Sequence, residues 1–121
     1  MQFAGVHHVS INVHDVDRAR CFYVDVLGLT EIERPDLGFP GAWLAVGSQQ
    51  IHLLEVPGSV PPEGQHFALR VADLDATLAE LAEHGLDVSE PREIVGVCRQ
   101  AFLEDPTGNL VELNEPATVA A

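Results

Sequence analysis

From His8 to Val13 apolar and polar residues alternate, with Val9, Ile11 and Val13 on one side and Ser10 and Asn12 on the other. That is the period of a strand with one packed and one wet face. The period then changes. Ala19, Phe22, Tyr23, Val26 and Leu27 recur at helical spacing, with Asp15 placed as an N-cap and Gly28 as a stop, which predicts a helix. Short strands are expected near Thr30–Arg34, near Ala42–Val46, and over Gln50–Glu55 after a Gly47–Ser48 turn.

The prolines and glycines of 57–64 cannot continue a helix or sit inside a sheet and read as a linker. Beyond it the pattern repeats. His66 falls where His8 fell, Asp73 matches Asp15, Asp75 matches Asp17, and Gly85 matches Gly28 after a one-residue deletion. Leu74, Leu78 and Leu81 mark a second helical face, and strands are expected near Asp87–Ser89, Val97–Glu104 and Asn109–Asn114. The last two are joined by the turn sequence DPTGN. The chain is therefore expected to be α+β: two βαβββ modules, 1–56 and 65–116, in one domain with a short tail at 117–121.

Side chains alternate across a strand, so each histidine can be assigned a face. His8 goes with Ser10 and Asn12, and His66 with Ala68 and Arg70. His52 opposes Ile51 and Leu53, as Glu112 opposes Val111 and Leu113. Four ionisable residues thus occupy two pairs of equivalent positions, on the faces turned from the helices. Imidazole nitrogen and carboxylate oxygen are the donors that Zn²⁺, Ni²⁺, Fe²⁺ and Mn²⁺ accept, so His8, His52, His66 and Glu112 are candidate metal ligands. His7 is one residue out of phase and is expected to be a partly buried packing residue, His14 a loop residue and His84 a helix-end surface residue. Glu55, Glu104 and Glu115 are expected to supply solvated charge.

Composition narrows the setting. Six basic against 19 acidic side chains give a net charge of −13, which repels phosphate backbones and anionic lipid, so neither nucleic acid nor membrane is an expected partner. With 46% apolar residues, no membrane-length apolar run and no signal-like start, a cytoplasmic protein is expected. Cys21 and Cys98 read as buried reduced thiols.

The runs HHVSINVHDVDRARCFYVDVLGL, IHLLE, HFALRV and FLEDPTGNLVELNE resemble the glyoxalase, fosfomycin resistance and extradiol dioxygenase proteins, the vicinal oxygen chelate superfamily. The resemblance implies paired modules in a cup-shaped mixed sheet around a divalent metal, with ligands at the positions of His8, His52, His66 and Glu112. It implies a metal-dependent lyase or isomerase of glyoxalase type, with Zn²⁺ or Ni²⁺ favoured over Fe²⁺ or Mn²⁺. The metal would act as a Lewis acid on a small-molecule substrate chelating through adjacent oxygens.

Glyoxalase I typically carries Glu where this chain has His52, so His52 is either a fourth ligand or an acid/base beside the metal, and Glu112 is the other candidate base. Arg99 and Arg70 are candidate inward cations for an anionic substrate, and Trp43 a candidate lining residue or core residue. A fosfomycin-type thiol transferase or ring-cleaving dioxygenase is the alternative enzyme. A non-catalytic antibiotic-binding protein is the alternative outside catalysis. The linker permits pairing within a chain or exchange between two chains, and a homodimer is expected, with His8 and His52 of one chain able to face His66 and Glu112 of the other.

Overall fold

The computed structural model describes residues 1–118; the end of the expected tail, 119–121, lies outside the described residues. The chain divides into two compact units at Pro61/Pro62, inside the proline-rich stretch.

In the first unit the order is β1 (His8–Val13), α1 (Val16–Arg20), a π-helical segment (Cys21–Val26), β2 (Thr30–Ile32), β3 (Gly41–Val46) and β4 (Gln49–Glu55). The sheet runs β1-β4-β3-β2, with β1 parallel to β4 and the other pairs antiparallel. Asp15 caps α1 as expected, its carboxylate accepting from the N–H groups of Asp17 and Arg18. Helix α1 packs on β3 and β4. Val13, Ala42, Leu44, Ile51 and Leu53 are buried in the unit, together with Val16, Ala19, Phe22 and Tyr23. Each fully buried leucine contributes roughly 1.5–3 kcal/mol relative to exposure.

The helix is not a single α-helix. After Arg20 the winding widens, and the N–H of Leu27 reaches the Phe22 carbonyl five residues back at 2.9 Å. A wider turn rotates each residue less, so the adjacent rings of Phe22 and Tyr23 are both buried, meeting edge to face at 4.8 Å. Val26 and Leu27 are left half-buried. Cys21 is exposed, against expectation: it stands two residues from Ala19, on the outer side of the winding, whereas Cys98 is buried as expected.

The second unit repeats the order: β5 (His66–Arg70), α2 (Leu74–Glu83), β6 (Arg92–Ile94), β7 (Cys98–Glu104) and β8 (Leu110–Pro116). Its sheet runs β5-β8-β7-β6, again with the first pair parallel and the rest antiparallel. Helix α2, capped by Asp73, packs on β8 and buries Leu74 and Leu81. Gly28 and Gly85, at φ 78° and 73°, end the two helical segments at matching positions. The β7–β8 turn is built on buried Asp105, whose carboxylate accepts from the N–H groups of Thr107 and Asn109.

The strand expected near Asp87–Ser89 lies instead at Arg92–Ile94. Ser89 makes a single two-way contact with the Phe102 backbone, and Pro91, which has no N–H to give a ladder, separates it from the paired strand.

Glu55 and Glu115 are not merely solvated charges. The Glu55 carboxylate accepts from the N–H of Val16 at 3.0 Å and the Glu115 carboxylate from that of Leu74 at 2.8 Å. In each unit the last strand thus secures a free donor at the start of the helix. Glu104 is exposed.

Candidate functional site

In the second unit the register places His66, Ala68 and Arg70 on the same face as Leu110, Glu112 and Asn114 and as Phe102 and Gln100. His66 Nε2 lies 3.1 Å from Glu112 Oε1, and the ring meets Phe102 edge to face at 5.4 Å. His66 Nδ1 lies 2.8 Å from the Gly64 carbonyl oxygen. A carbonyl only accepts, so Nδ1 carries a proton. In the neutral ring Nε2 then presents a lone pair to a carboxylate oxygen. Two acceptors face each other, and a proton or a cation must lie between them. Glu112 is 7% exposed, and its other oxygen accepts from Asn114 Nδ2 at 2.7 Å, which holds the carboxylate in place.

In the first unit His8, Ser10 and Asn12 share a face with Gln50, His52 and Leu54, and with Gly41, Trp43 and Ala45. The His52 ring is stacked between its neighbours, 3.9 Å from the His8 ring and 4.3 Å from the Trp43 ring, tilted by 14° and 7°. Trp43 is therefore on the polar face, against His52, and not in the core under the helix. His52 Nε2 lies 2.8 Å from Gln50 Oε1, so that nitrogen donates and His52 Nδ1 is the free acceptor. Burial, and after it the charges of His8, His7 and Arg34, holds the His52 imidazole below the ordinary histidine value.

His7 is exposed rather than packed. It precedes the paired strand, and its Nδ1 turns back to His8 Nδ1 at 2.9 Å. His14 contacts the Ser59 carbonyl and His84 is exposed at the end of α2, both as expected.

Arg99 does not join Arg70. It alternates onto the face of Ala101 and Leu103, the buried helix side, where Asp75 of α2 takes its guanidinium at 3.0 and 3.2 Å and Glu115 lies at 3.8 Å. The hydrogen bond from Arg99, and then its charge, lowers the Asp75 pKa, and the same bond raises that of Arg99. Phe102 stands on the His66 face instead. Arg70 stays on that face, exposed, opposite Asn114.

Asn114 and Gln50 were legible in principle, each being two residues from its ionisable partner on the same strand face. Arg34 was not. It lies in the β2–β3 loop, outside any periodic pattern, with its guanidinium 4.8 Å from the centre of the Phe39 ring.

The donor chemistry of both pairs suits a divalent cation, and the His66–Glu112 pair has the arrangement a ligand pair takes: one nitrogen tied to a backbone carbonyl, the other turned to the ion. Among the described residues no group of three or more His, Cys, Asp or Glu side chains is gathered to hold a metal. The stacked rings of His8 and His52 lie in nearly parallel planes, and lone pairs in parallel planes cannot meet at one ion. As arranged, one of the two can ligate and not both. Among the described residues no helix is long and apolar enough to cross a membrane.

Comparison with known proteins places this architecture. YwkD of Bacillus subtilis is 32% identical over 130 aligned positions, covering 95% of this chain and 99% of YwkD. The crystal structure of TnmS3, an antibiotic binding protein from a Streptomyces species, superposes with a TM-score of 0.82 at 30% identity, covering 97% of this chain and 99% of that one. A variant of the fosfomycin resistance protein FosX from Listeria monocytogenes, crystallised with Mn(II) and 1S,2S-dihydroxypropylphosphonic acid, has a TM-score of 0.82 at 17% identity, covering 96% and 95%, and shares the fold. The model of the glyoxalase/bleomycin resistance protein/dioxygenase superfamily matches residues 5–113, and the chain belongs to that superfamily.

Proposed function

We propose that this protein is a divalent-metal-dependent enzyme of glyoxalase type, a lyase or isomerase acting in the cytoplasm, as a homodimer, on a small molecule that chelates through adjacent oxygens. The observation that carries the reading is the facing pair of acceptors on His66 and Glu112, with His66 Nδ1 committed to the Gly64 carbonyl. His66 and Glu112 are the candidate ligands of the second unit and His8 the candidate ligand of the first, imidazole and carboxylate donors suited to Zn²⁺ or Ni²⁺ and also to Fe²⁺ or Mn²⁺. When bound, the ion supplies Lewis acidity toward the substrate's oxygens.

The remaining roles belong to the chain's own groups. His52 stays neutral near pH 7, its Nε2–H engaged by Gln50 and its Nδ1 free to accept a proton from a substrate carbon. Trp43 covers one side of that ring and excludes water from it. Asn114 orients Glu112, the second candidate base, whose carboxylate can accept a proton when not engaged as a ligand. Arg70, on the His66 face, is placed to attract an anionic substrate.

A non-catalytic antibiotic-binding role is favoured by two observations: the likeness to TnmS3 and the flat aromatic platform formed by His52 and Trp43. Metal content measured by mass spectrometry separates the two. The enzyme reading expects bound metal in the wild type, background levels in His66→Ala and Glu112→Ala, and near-wild-type levels in His7→Ala. Wild-type metal in Glu112→Ala overturns the ligand set, and a metal-free wild type favours the binding role.

A further inference from the structure

We infer that the cavity beside His52 is an anion-accepting subsite in which Arg34 selects substrates carrying a carboxylate next to a small flat apolar group. The inference deepens the proposed function and rests on it for taking the His52 face as the reacting side.

The cavity, about 190 Å³, is lined by Ser10, Arg34, Leu37, Phe39, Trp43 and His52, with Leu53 and Leu54 of β4. It is smaller than the roughly 300–1,000 Å³ of pockets for drug-sized ligands, so it fits a small molecule or one end of a larger one. Among the described residues no carboxylate lines it, although the chain holds 19 acidic side chains. Arg34 is the permanently charged group in its wall.

Two features hold the guanidinium there. Its carbon sits over the Phe39 ring at 4.8 Å, and on another side it lies against the backbone of β3 at Gly41. A Cβ at position 41 would stand 2.9 Å from Arg34 Nη2 and 3.0 Å from its Cζ, so only glycine leaves the room the guanidinium occupies. Arg20 and Arg99 are each paired with carboxylates. Among the described residues no carboxylate pairs with Arg34. A guanidinium buttressed by packing rather than by a counter-ion keeps its donor fork open, and that fork matches a carboxylate in two-point geometry. Leu37, Phe39 and the Trp43 ring supply apolar walls for the group attached to it.

Trp43 is the only tryptophan in the chain, so its fluorescence reports on this cavity. Full-length protein as purified is titrated with benzoate and with benzamide, its neutral counterpart of nearly the same shape. Benzoate is expected to change the emission saturably and to bind at least about tenfold more tightly, the scale of one charge-assisted hydrogen-bonded contact. Arg34→Gln is expected to bring benzoate down to the level of benzamide, and Arg34→Lys to keep part of the preference. The same titrations after chelator treatment are expected to retain the preference.

Equal binding of the two probes, no saturable response to benzoate, or an unchanged preference in Arg34→Gln overturns the subsite. A preference lost on chelation also overturns it, because the carboxylate then goes to a metal and not to Arg34. If the wild type carries no metal and the Arg34-dependent preference persists, the metal reading fails and the subsite stands.

Discussion

Nε2 of His66 and Oε1 of Glu112 stand 3.1 Å apart on neighbouring strands β5 and β8, in a pairing that is incomplete without a proton or a cation between them. The residues that hold each partner still lie within two positions of it: Gly64 fixes the ring and Asn114 the carboxylate. Support from such a partner determines how well a metal ligand is aimed.

Asn114→Ala should therefore keep the ligand set and weaken it. Removing the 2.7 Å bond to Glu112 Oε2 is expected to lower metal affinity by about 10–100-fold, measured by competition with a chromogenic chelator. An affinity equal to wild type would show that the carboxylate needs no orienting partner.

The matching bonds from Glu55 to Val16 and from Glu115 to Leu74 predict matching losses. Glu55→Ala and Glu115→Ala should each lower stability by about 1 kcal/mol, the scale of a lost bond at a helix N-terminus, read from urea denaturation. Glu104→Ala, at an exposed site, is the control expected to change little.

His52 gives a pH dependence of known sign. Its folded-state pKa is lowered, by burial first and then by nearby positive charge, so the unfolded chain takes up the proton more readily. The stability that the neutral ring contributes is complete above the unfolded-state value of about 6.5 and is lost as pH falls through the lowered folded value. Chelator-treated wild type should lose stability between pH 7.5 and 5, and His52→Gln should lose less over the same range. Parallel denaturation midpoints for the two proteins would place the acid sensitivity elsewhere.

Gly41→Ala tests the packing around Arg34. The added methyl would stand 2.5 Å from the Leu53 carbonyl oxygen, a backbone atom that cannot swing aside, as well as against the guanidinium. A loss of about 1–3 kcal/mol is expected from this overpacking, read as a lowered thermal midpoint. An unchanged midpoint would mean that β3 and β4 separate freely.

The alternation in β1, β4, β5 and β8 was enough to put His8, His52, His66 and Glu112 on the strand faces opposite their apolar neighbours, because a strand's period is a local property of the backbone, whereas the contact of His66 with Glu112 needed the pairing of β5 with β8. The same rule applied to Arg99 established that it opposes Phe102 but not which side the helix covers. Asp75, 24 residues earlier in the chain, settled that by taking the guanidinium. Cys21 shows the reverse limit: its helical neighbourhood is apolar, yet exposure depends on the direction in which the winding turns it.

What the sequence determined by itself is the repeat: two alternations of strand, helix and three strands, with equivalent caps and equivalent ionisable positions, all consequences of periods and caps read within a few residues. Only the tertiary structure decided that His52 stacks between His8 and Trp43, that Glu55 and Glu115 secure the helix starts, and that a loop arginine at position 34 lies in the cavity beside His52. Those contacts join residues distant in the chain or placed by irregular backbone, where no local period specifies which side chains meet.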